Sequence, residues 1–287
     1  MSQPVTATLL ISCPDQPGLV ASVSDFIFRG HGNILHADQH TDAEEGVFLQ
    51  RVEWDLEGFA HERDEIAGAF GEVADRFDGM RWRLEFSDRR HRVALLVSKV
   101  GHCMYDLLAR WRMGELGVDI PLVISNHDDL RAGAEAMGPN YHHLPVTAET
   151  KDEQEAAILD LLDEHDIDTV VLARYMQILT PGFTEAYRRR IINIHHSFLP
   201  AFAGAKPYHR AHERGVKIIG ATAHYVTADL DEGPIISQDV SHVSHRDTVD
   251  DLVKKGRDLE KVVLARAVRL HVEHRVLVYG NKTVVFD

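Results

Sequence analysis

Ile191-Ile192-Asn193-Ile194-His195-His196-Ser197-Phe198-Leu199-Pro200 is the stretch on which the fold and chemistry of this chain turn. Its first residues form a continuous apolar, β-prone run of the kind found in a sheet covered on both faces. The run then ends in polar residues. In open α/β sheets, ligands bind beyond the carboxyl ends of the strands. Asn193 and His195 are two residues apart, so on a strand they point to the same side. Asn193 offers an amide donor, and His195 can carry a proton near neutral pH. Such a pair can hold a developing oxyanion and protonate a leaving nitrogen. The plain alternative is that both residues only terminate a strand.

Outward from this stretch, similar apolar runs at 93–97, 120–124 and 169–172 alternate with helical segments, which predicts a mostly parallel, Rossmann-like sheet. Thr150-Lys151-Asp152-Glu153 reads as a capping box, and Thr180-Pro181 as an N-cap followed by proline at N1. Residues 220–243 read as strand, tight turn and strand, and a last helix is expected over about 252–273. No internal repeat or low-complexity tract is visible. Upstream, 6–12, 33–41, 47–56 and 80–86 read as strands, with helices at 19–28 and 60–77. The order is βαββαβ, an α+β unit. The charged stretch Ser87 to Arg92 separates the two patterns, so the expected domains are 1–86, a linker at 87–92, and 93–287.

The second chemical signal is Thr227-Ala228-Asp229-Leu230-Asp231-Glu232-Gly233-Pro234, which follows the strand-like Gly220 to Val226. A carboxylate there could orient a water and hold His195 in its charged form; an ordinary acidic turn is the alternative.

Composition narrows the partners. The chain has 287 residues, 44% of them hydrophobic, and a net charge of −14. That acidity argues against nucleic acid. Cys13 and Cys103 are the only cysteines, and two isolated thiols suggest a reducing compartment. The opening MSQPVTATLL lacks a basic segment followed by an apolar core, and no apolar run reaches the roughly 20 residues of a membrane span. A cytoplasmic protein with no membrane partner is expected.

Asn193-Ile194-His195, Ser197-Phe198-Leu199-Pro200 and Leu230-Asp231-Glu232-Gly233-Pro234 together resemble the folate-dependent formyl transferase superfamily, whose Asn-x-His pair is followed by an Asp at the separation seen here, 231 − 195 = 36. His224 also sits where that family has a histidine, and Leu172 to Thr180 is similar to its pterin-gripping loop. The resemblance covers residues 92–287. It implies Asn193, His195 and Asp231 as catalytic residues. It further implies a folate pocket formed by Tyr175, Met176, Ile178, Leu179, His102, Cys103, His224, Ala228 and Asp229.

Within the superfamily, the transformylase acting on glycinamide ribonucleotide has a Gly-rich phosphate loop after its first strand. Here that segment reads Ser98-Lys99-Val100-Gly101-His102-Cys103-Met104-Tyr105-Asp106, with one glycine and bulky neighbours. His196 stands where the transformylase type has proline. The βαββαβ unit with Cys13-Pro14-Asp15-Gln16-Pro17-Gly18-Leu19 resembles an ACT domain, with Asp15, Gly18 and Leu19 as regulatory residues. These features resemble the deformylase branch. That resemblance implies hydrolysis of 10-formyltetrahydrofolate to formate and tetrahydrofolate, supplying formate for purine synthesis and balancing one-carbon folate pools. It implies no cofactor, no metal and a homo-oligomer, dimer or tetramer. The ACT-like unit has two open readings, an amino-acid effector site or dimerisation without a ligand. Glu260 reads as a structural salt bridge.

Two alternatives are a glycinamide ribonucleotide formyl transferase and a metal-dependent amidohydrolase. The latter would draw on His195, His196, His209, His212 and His224, although no HExxH or CxxC pattern supports it.

Overall fold

A computed structural model describes residues 4–200 and 207–286. The chain forms two compact units, one ending at Arg90 and joined by the residues from Glu273 onward, the other spanning His91–Val272.

The first unit runs β1 (Thr6–Pro14), α1 (Leu19–Arg29), β2 (Asn33–Asp42), β3 (Val47–Asp55), α2 (Arg63–Ala74) and β4 (Arg81–Phe86). Its antiparallel sheet has the order β2-β3-β1-β4, the ferredoxin-like arrangement that the βαββαβ pattern predicts. Leu19, Val23 and Ile27 on α1 and Ile66 and Phe70 on α2 bury one face of the sheet with Leu9, Ile11 and Trp54. α2 is shorter than expected because Glu62 and Glu65 form a reciprocal capping box that fixes its start.

The second unit runs β5 (His91–Val97), α3 (His102–Arg112), β6 (Val118–Ser125), α4 (Arg131–Ala136), β7 (Asn140–His143), α5 (Lys151–Glu164), β8 (Thr169–Leu172), α6 (Pro181–Ala186), β9 (Ile191–His195), α7 (Pro207–Arg214), β10 (Ile218–Tyr225), β11 (Ile235–His242) and α8 (Val249–Val272). Its seven strands lie in the order β11-β10-β9-β8-β5-β6-β7. The pairs from β9 to β7 are parallel, and β10 and β11 are antiparallel additions at the β9 edge. From β5 the chain winds outward through β6 and β7, then returns to place β8 on the other side of β5. This reversal opens a crevice at the carboxyl ends of β5 and β8, where open α/β sheets bind ligands.

Four local expectations are corrected. β5 begins at His91, inside the expected 87–92 linker, because Arg92 pairs with Asp119 of β6 and its amide donates to Asp168 Oδ2 at 2.9 Å. Thr150 forms no capping box; its hydroxyl accepts from the Thr147 amide at 3.0 Å instead. Thr180 does cap α6, accepting from the Phe183 amide at 3.3 Å with Pro181 following. The turn between β10 and β11 is not tight but a loop over residues 226–234.

The fourth difference concerns the end of the chain. The hairpin β12 (Val276–Tyr279) and β13 (Lys282–Val285) packs with the first unit, not with the unit of residues 93–287. Leu277, Val284 and Phe286 cluster with Leu10 and Leu49 on the sheet face opposite the helices. Without the hairpin that apolar face would meet water, at about 25 cal/mol per Å². Tyr279 and Lys282 fasten it by donating to Asp42, whose carboxyl the backbone amide of Glu45, then Lys282 and Tyr279, hold down at about 2.

Candidate active site

A cavity of about 600 Å³ occupies the crevice beyond β5, β8 and β9. β9 supplies Asn193 and His195, and the loop 226–234 brings Asp231 across from the β10 side. His195 Nδ1 lies 3.1 Å from Asp231 Oδ2, and His224 Nε2 lies 3.6 Å from Oδ1 of the same carboxylate. The Asn193 amide nitrogen is 3.2 Å from His224 Nε2, and His224 Nδ1 faces the Tyr225 carbonyl at 3.0 Å. The hydrogen bond from His195, then that from His224, holds the Asp231 carboxyl far below the usual carboxylate range, so it is ionised. An ionised Asp231 facing His195 Nδ1 fixes the proton on that nitrogen. The buried His195 Nε2 has no hydrogen-bond partner among the described residues. A reacting group is the partner this geometry invites.

Backbone strain marks the same cavity. Arg174 and Asp231 both adopt left-handed backbone, with φ of 68° and 58°. Such conformations cost a non-glycine residue about 1–2 kcal/mol and persist only where the surroundings impose them. Gly233 allows the loop to close. A Cβ there would stand 1.7 Å from the Tyr225 carbonyl oxygen, and the Tyr225 amide donates to Pro234 O at 2.9 Å. A Gly233→Ala variant is expected to lose about 1–3 kcal/mol of stability and about 100-fold in kcat, because Asp231, two residues away, shifts with the loop. Thermal melts and steady-state kinetics check both.

One end of the cavity is apolar. Tyr175, Met176, Ile178 and Leu179 follow β8, and Val226, Ala228 and Leu230 face them. α5 anchors this β8 loop. Gln154 donates to the Tyr175 hydroxyl at 3.1 Å, Glu155 accepts from the Thr180 amide and hydroxyl, and Lys151 donates to Ile178 O. Ser98 Oγ accepts from the Met176 amide at 3.0 Å and donates to Asn126 Oδ1 at 2.7 Å.

The other end is polar and centres on Glu260, which is 1% exposed. Its carboxylate accepts from His102 Nε2 and from the Tyr208 hydroxyl, each at 2.8 Å, and Arg174 Nε lies 3.6 Å away. Burial pushes the Glu260 carboxyl up, but His102, Arg174 and Tyr208 outweigh it and leave it below its ordinary value. Glu260 thus joins the salt bridge that its sequence suggests. His196 packs between His195 and Tyr208, with ring centroids 5.3 and 6.2 Å away. Burial, then Arg174, pushes it down to about 4, so it is neutral at neutral pH.

Of the residues singled out from sequence, Asn193, His195, Asp231, Tyr175, Met176, Ile178, Leu179, His102, His224, Ala228 and Asp229 all line the cavity. Cys103 does not. In the first turn of α3 its neighbour His102 faces the cavity, and Cys103 turns inward, fully buried, its thiol pushed up by burial and by Glu260. In the first unit Asp15 and Gly18 are exposed, whereas Leu19 is buried in the helix-sheet core. Sequence reading missed Arg174, Tyr208 and Arg257 as wall residues. Of these, only Arg174 carried a signal, its place in the β8 loop.

The five histidines of the metal reading do not converge. His195, His196, His209 and His224 border the cavity and His212 is outside it. Among the described residues, His102, Cys103 and Glu260 are the one group whose ligand atoms all lie within 4.8 Å. The Arg174 guanidinium beside Glu260 opposes a cation there, and the thiol is held protonated.

The formyl transferase family model matches residues 91–268. The chain therefore belongs to the formyl transferase family. Within that family it is similar over its full length to formyltetrahydrofolate deformylases: the one from Synechocystis is 62% identical over 284 residues, 99% of each chain. The crystal structure of a formyltetrahydrofolate deformylase from Pseudomonas syringae superposes with a TM-score of 0.96 at 50% identity, covering 99% of this chain and 95% of that one. A glycinamide ribonucleotide transformylase from Symbiobacterium toebii is similar over only 71% of this chain, though 98% of its own, with a TM-score of 0.67 and 33% identity.

Proposed function

We propose that this chain hydrolyses 10-formyltetrahydrofolate to formate and tetrahydrofolate. The observation that carries this reading is the extent of the similarity: it runs through both units to the deformylases and stops short of the whole chain for the transformylase.

The site accounts for the chemistry. The apolar end of the cavity receives the folate ring system between the β8 loop and residues 226–230. That places the formyl group toward Asn193 and His195. Asp231 orients a water and draws a proton from it as the oxygen adds to the formyl carbon. The Asn193 amide and the protonated His195 hold the resulting oxyanion; one such donor is typically worth about 100- to 1000-fold in rate. As the C–N bond breaks, His195 passes a proton to the departing nitrogen. No cofactor and no metal enters these steps. The first unit serves regulation and self-association under this reading, with the exposed Asp15 and Gly18 as its ligand-facing residues and Leu19 supporting them from the core. No helix among the described residues is long and apolar enough to cross a membrane, in keeping with a cytoplasmic folate enzyme.

The test is formate and tetrahydrofolate release from 10-formyltetrahydrofolate, with and without glycinamide ribonucleotide, before and after dialysis against a chelator. Formate is expected to equal tetrahydrofolate in every arm. Formylated ribonucleotide would overturn the hydrolase reading, and activity lost to chelation and restored by zinc would favour the metal alternative.

A further inference from the structure

Residues 174–179, which carry much of the apolar wall of the cavity, make no backbone–backbone hydrogen bond among the described residues. Before them the Ala173 amide donates to Leu96 O at 2.9 Å, and after them α6 begins, the Thr184 amide donating to Thr180 O at 3.0 Å. Between these two anchors the loop is held by side chains. Met176 and Ile178 are nevertheless 59% and 58% exposed. Apolar side chains in water favour collapse onto one another, so a loop that presents them has to be held open.

α5 supplies the hold. Lys151, Gln154 and Glu155 stand at i, i+3 and i+4, on one face of that helix. They meet the loop at three points: Gln154 at the Tyr175 hydroxyl, Lys151 at Ile178 O and Glu155 at Thr180. None of the three lines the cavity. Glu155 holds the far end. It is 4% exposed, and its two oxygens accept from the Thr180 amide at 3.1 and 3.2 Å. One of them also accepts from the Thr180 hydroxyl, which in turn caps α6 by accepting from the Phe183 amide at 3.3 Å. Asn193, His195 and Asp231 lie on other elements, β9 and the loop 226–234.

We propose that Glu155 is a positioning residue for the folate: through Thr180 it keeps residues 174–179 in their open shape, and so sets how tightly the ring system binds while leaving the rate of hydrolysis to β9 and Asp231. The inference rests on the folate reading above. A loop already in its binding shape spares the ligand the cost of ordering it. A loop freed at its far end also samples closed shapes, and affinity falls by the fraction of chains that remain open. Once bound, the ring system holds the loop, and the catalytic groups meet the same formyl carbon.

The experiment compares wild type, Glu155→Ala, Glu155→Gln and Thr180→Val in steady-state kinetics with 10-formyltetrahydrofolate and in direct binding of tetrahydrofolate. The binding measurement is needed because KM equals Kd only where chemistry is slow. Glu155→Ala is expected to raise KM and the tetrahydrofolate Kd about tenfold or more, with kcat within about threefold of wild type. Glu155→Gln keeps one acceptor oxygen and should fall between the two. Thr180→Val removes the hydroxyl, keeps the amide and should raise Kd as well. An unchanged Kd in folded Glu155→Ala overturns the proposal. So does a loss confined to kcat, which would place Glu155 in support of the chemistry and not of binding. If Glu155→Ala does not fold, Glu155→Gln and Thr180→Val carry the same comparison. Wild type that binds tetrahydrofolate but releases no formate refutes the hydrolase reading instead, and the Kd comparison still decides on Glu155.

Discussion

Asp231→Asn is expected to lower kcat by about 100- to 1000-fold while folate affinity is largely kept. The substitution keeps the shape and one oxygen but removes the charge that faces His195 Nδ1, 3.1 Å away, and that receives a proton from water in the proposed mechanism. The apolar cavity end, built from the β8 loop and residues 226–230, does not depend on that charge, so KM should move little. His195→Ala should fall at least as far, since the proposed mechanism makes its buried Nε2 the donor to the reacting group. Steady-state kinetics on both variants check this; a near wild-type rate in either defeats the assigned mechanism. The pH dependence follows with a definite sign. The Asp231 carboxyl is depressed in the folded state, first by His195 and then by His224. Its contribution to stability is present above the unfolded value near 3.8 and is lost as pH falls through the folded one. Acid titration of unfolding should therefore be shallower in Asp231→Asn than in wild type. An acid limb of kcat at an ordinary carboxylate pKa would speak against Asp231 as the residue lost.

Glu260→Ala is expected to cost about 3–5 kcal/mol of stability, the effect of removing one partner of a buried charge cluster. It leaves the Arg174 guanidinium and His102 without their anion and the Tyr208 hydroxyl without its acceptor, all on the cavity wall. Glu260→Gln keeps an acceptor oxygen and should cost less. Chemical denaturation of the second unit checks the order. Equal small losses for both variants would show that the cluster is solvated and weak, contrary to the 1% exposure of Glu260.

The chain's local grammar carried much of this. The apolar runs and their polar stops located β5, β6, β8 and β9, because a strand buried on both faces has no polar positions to interrupt it. Period-two geometry put Asn193 and His195 on one side, and both line the cavity. Local reading failed where a competing contact won. Thr150 engages Thr147 instead of capping its own helix, and Cys103, beside His102 in sequence, turns to the core because adjacent helical residues point about 100° apart.

What only the tertiary structure decided are the meetings of distant elements. Periodicity tells which side of an element a residue faces but not what lies across from it. Glu260 and Tyr208 are 52 residues apart, and Glu260 and His102 158 apart; their contact exists because α8 crosses both α3 and α7. The same holds for the closing hairpin. Residues 276–285 fell within the expected domain of 93–287, and the apolar face left on the first unit by Leu10 and Leu49 takes them instead. The sequence by itself brought forward Asn193 and His195 as a pair on one side of a strand, Asp231 at its spacing, and the succession of strands and helices along the chain. The fold alone decided that the Glu260 carboxylate meets His102, Tyr208 and Arg174, because such meetings are set by three-dimensional distance and burial, and neither is written in the spacing of residues along a chain.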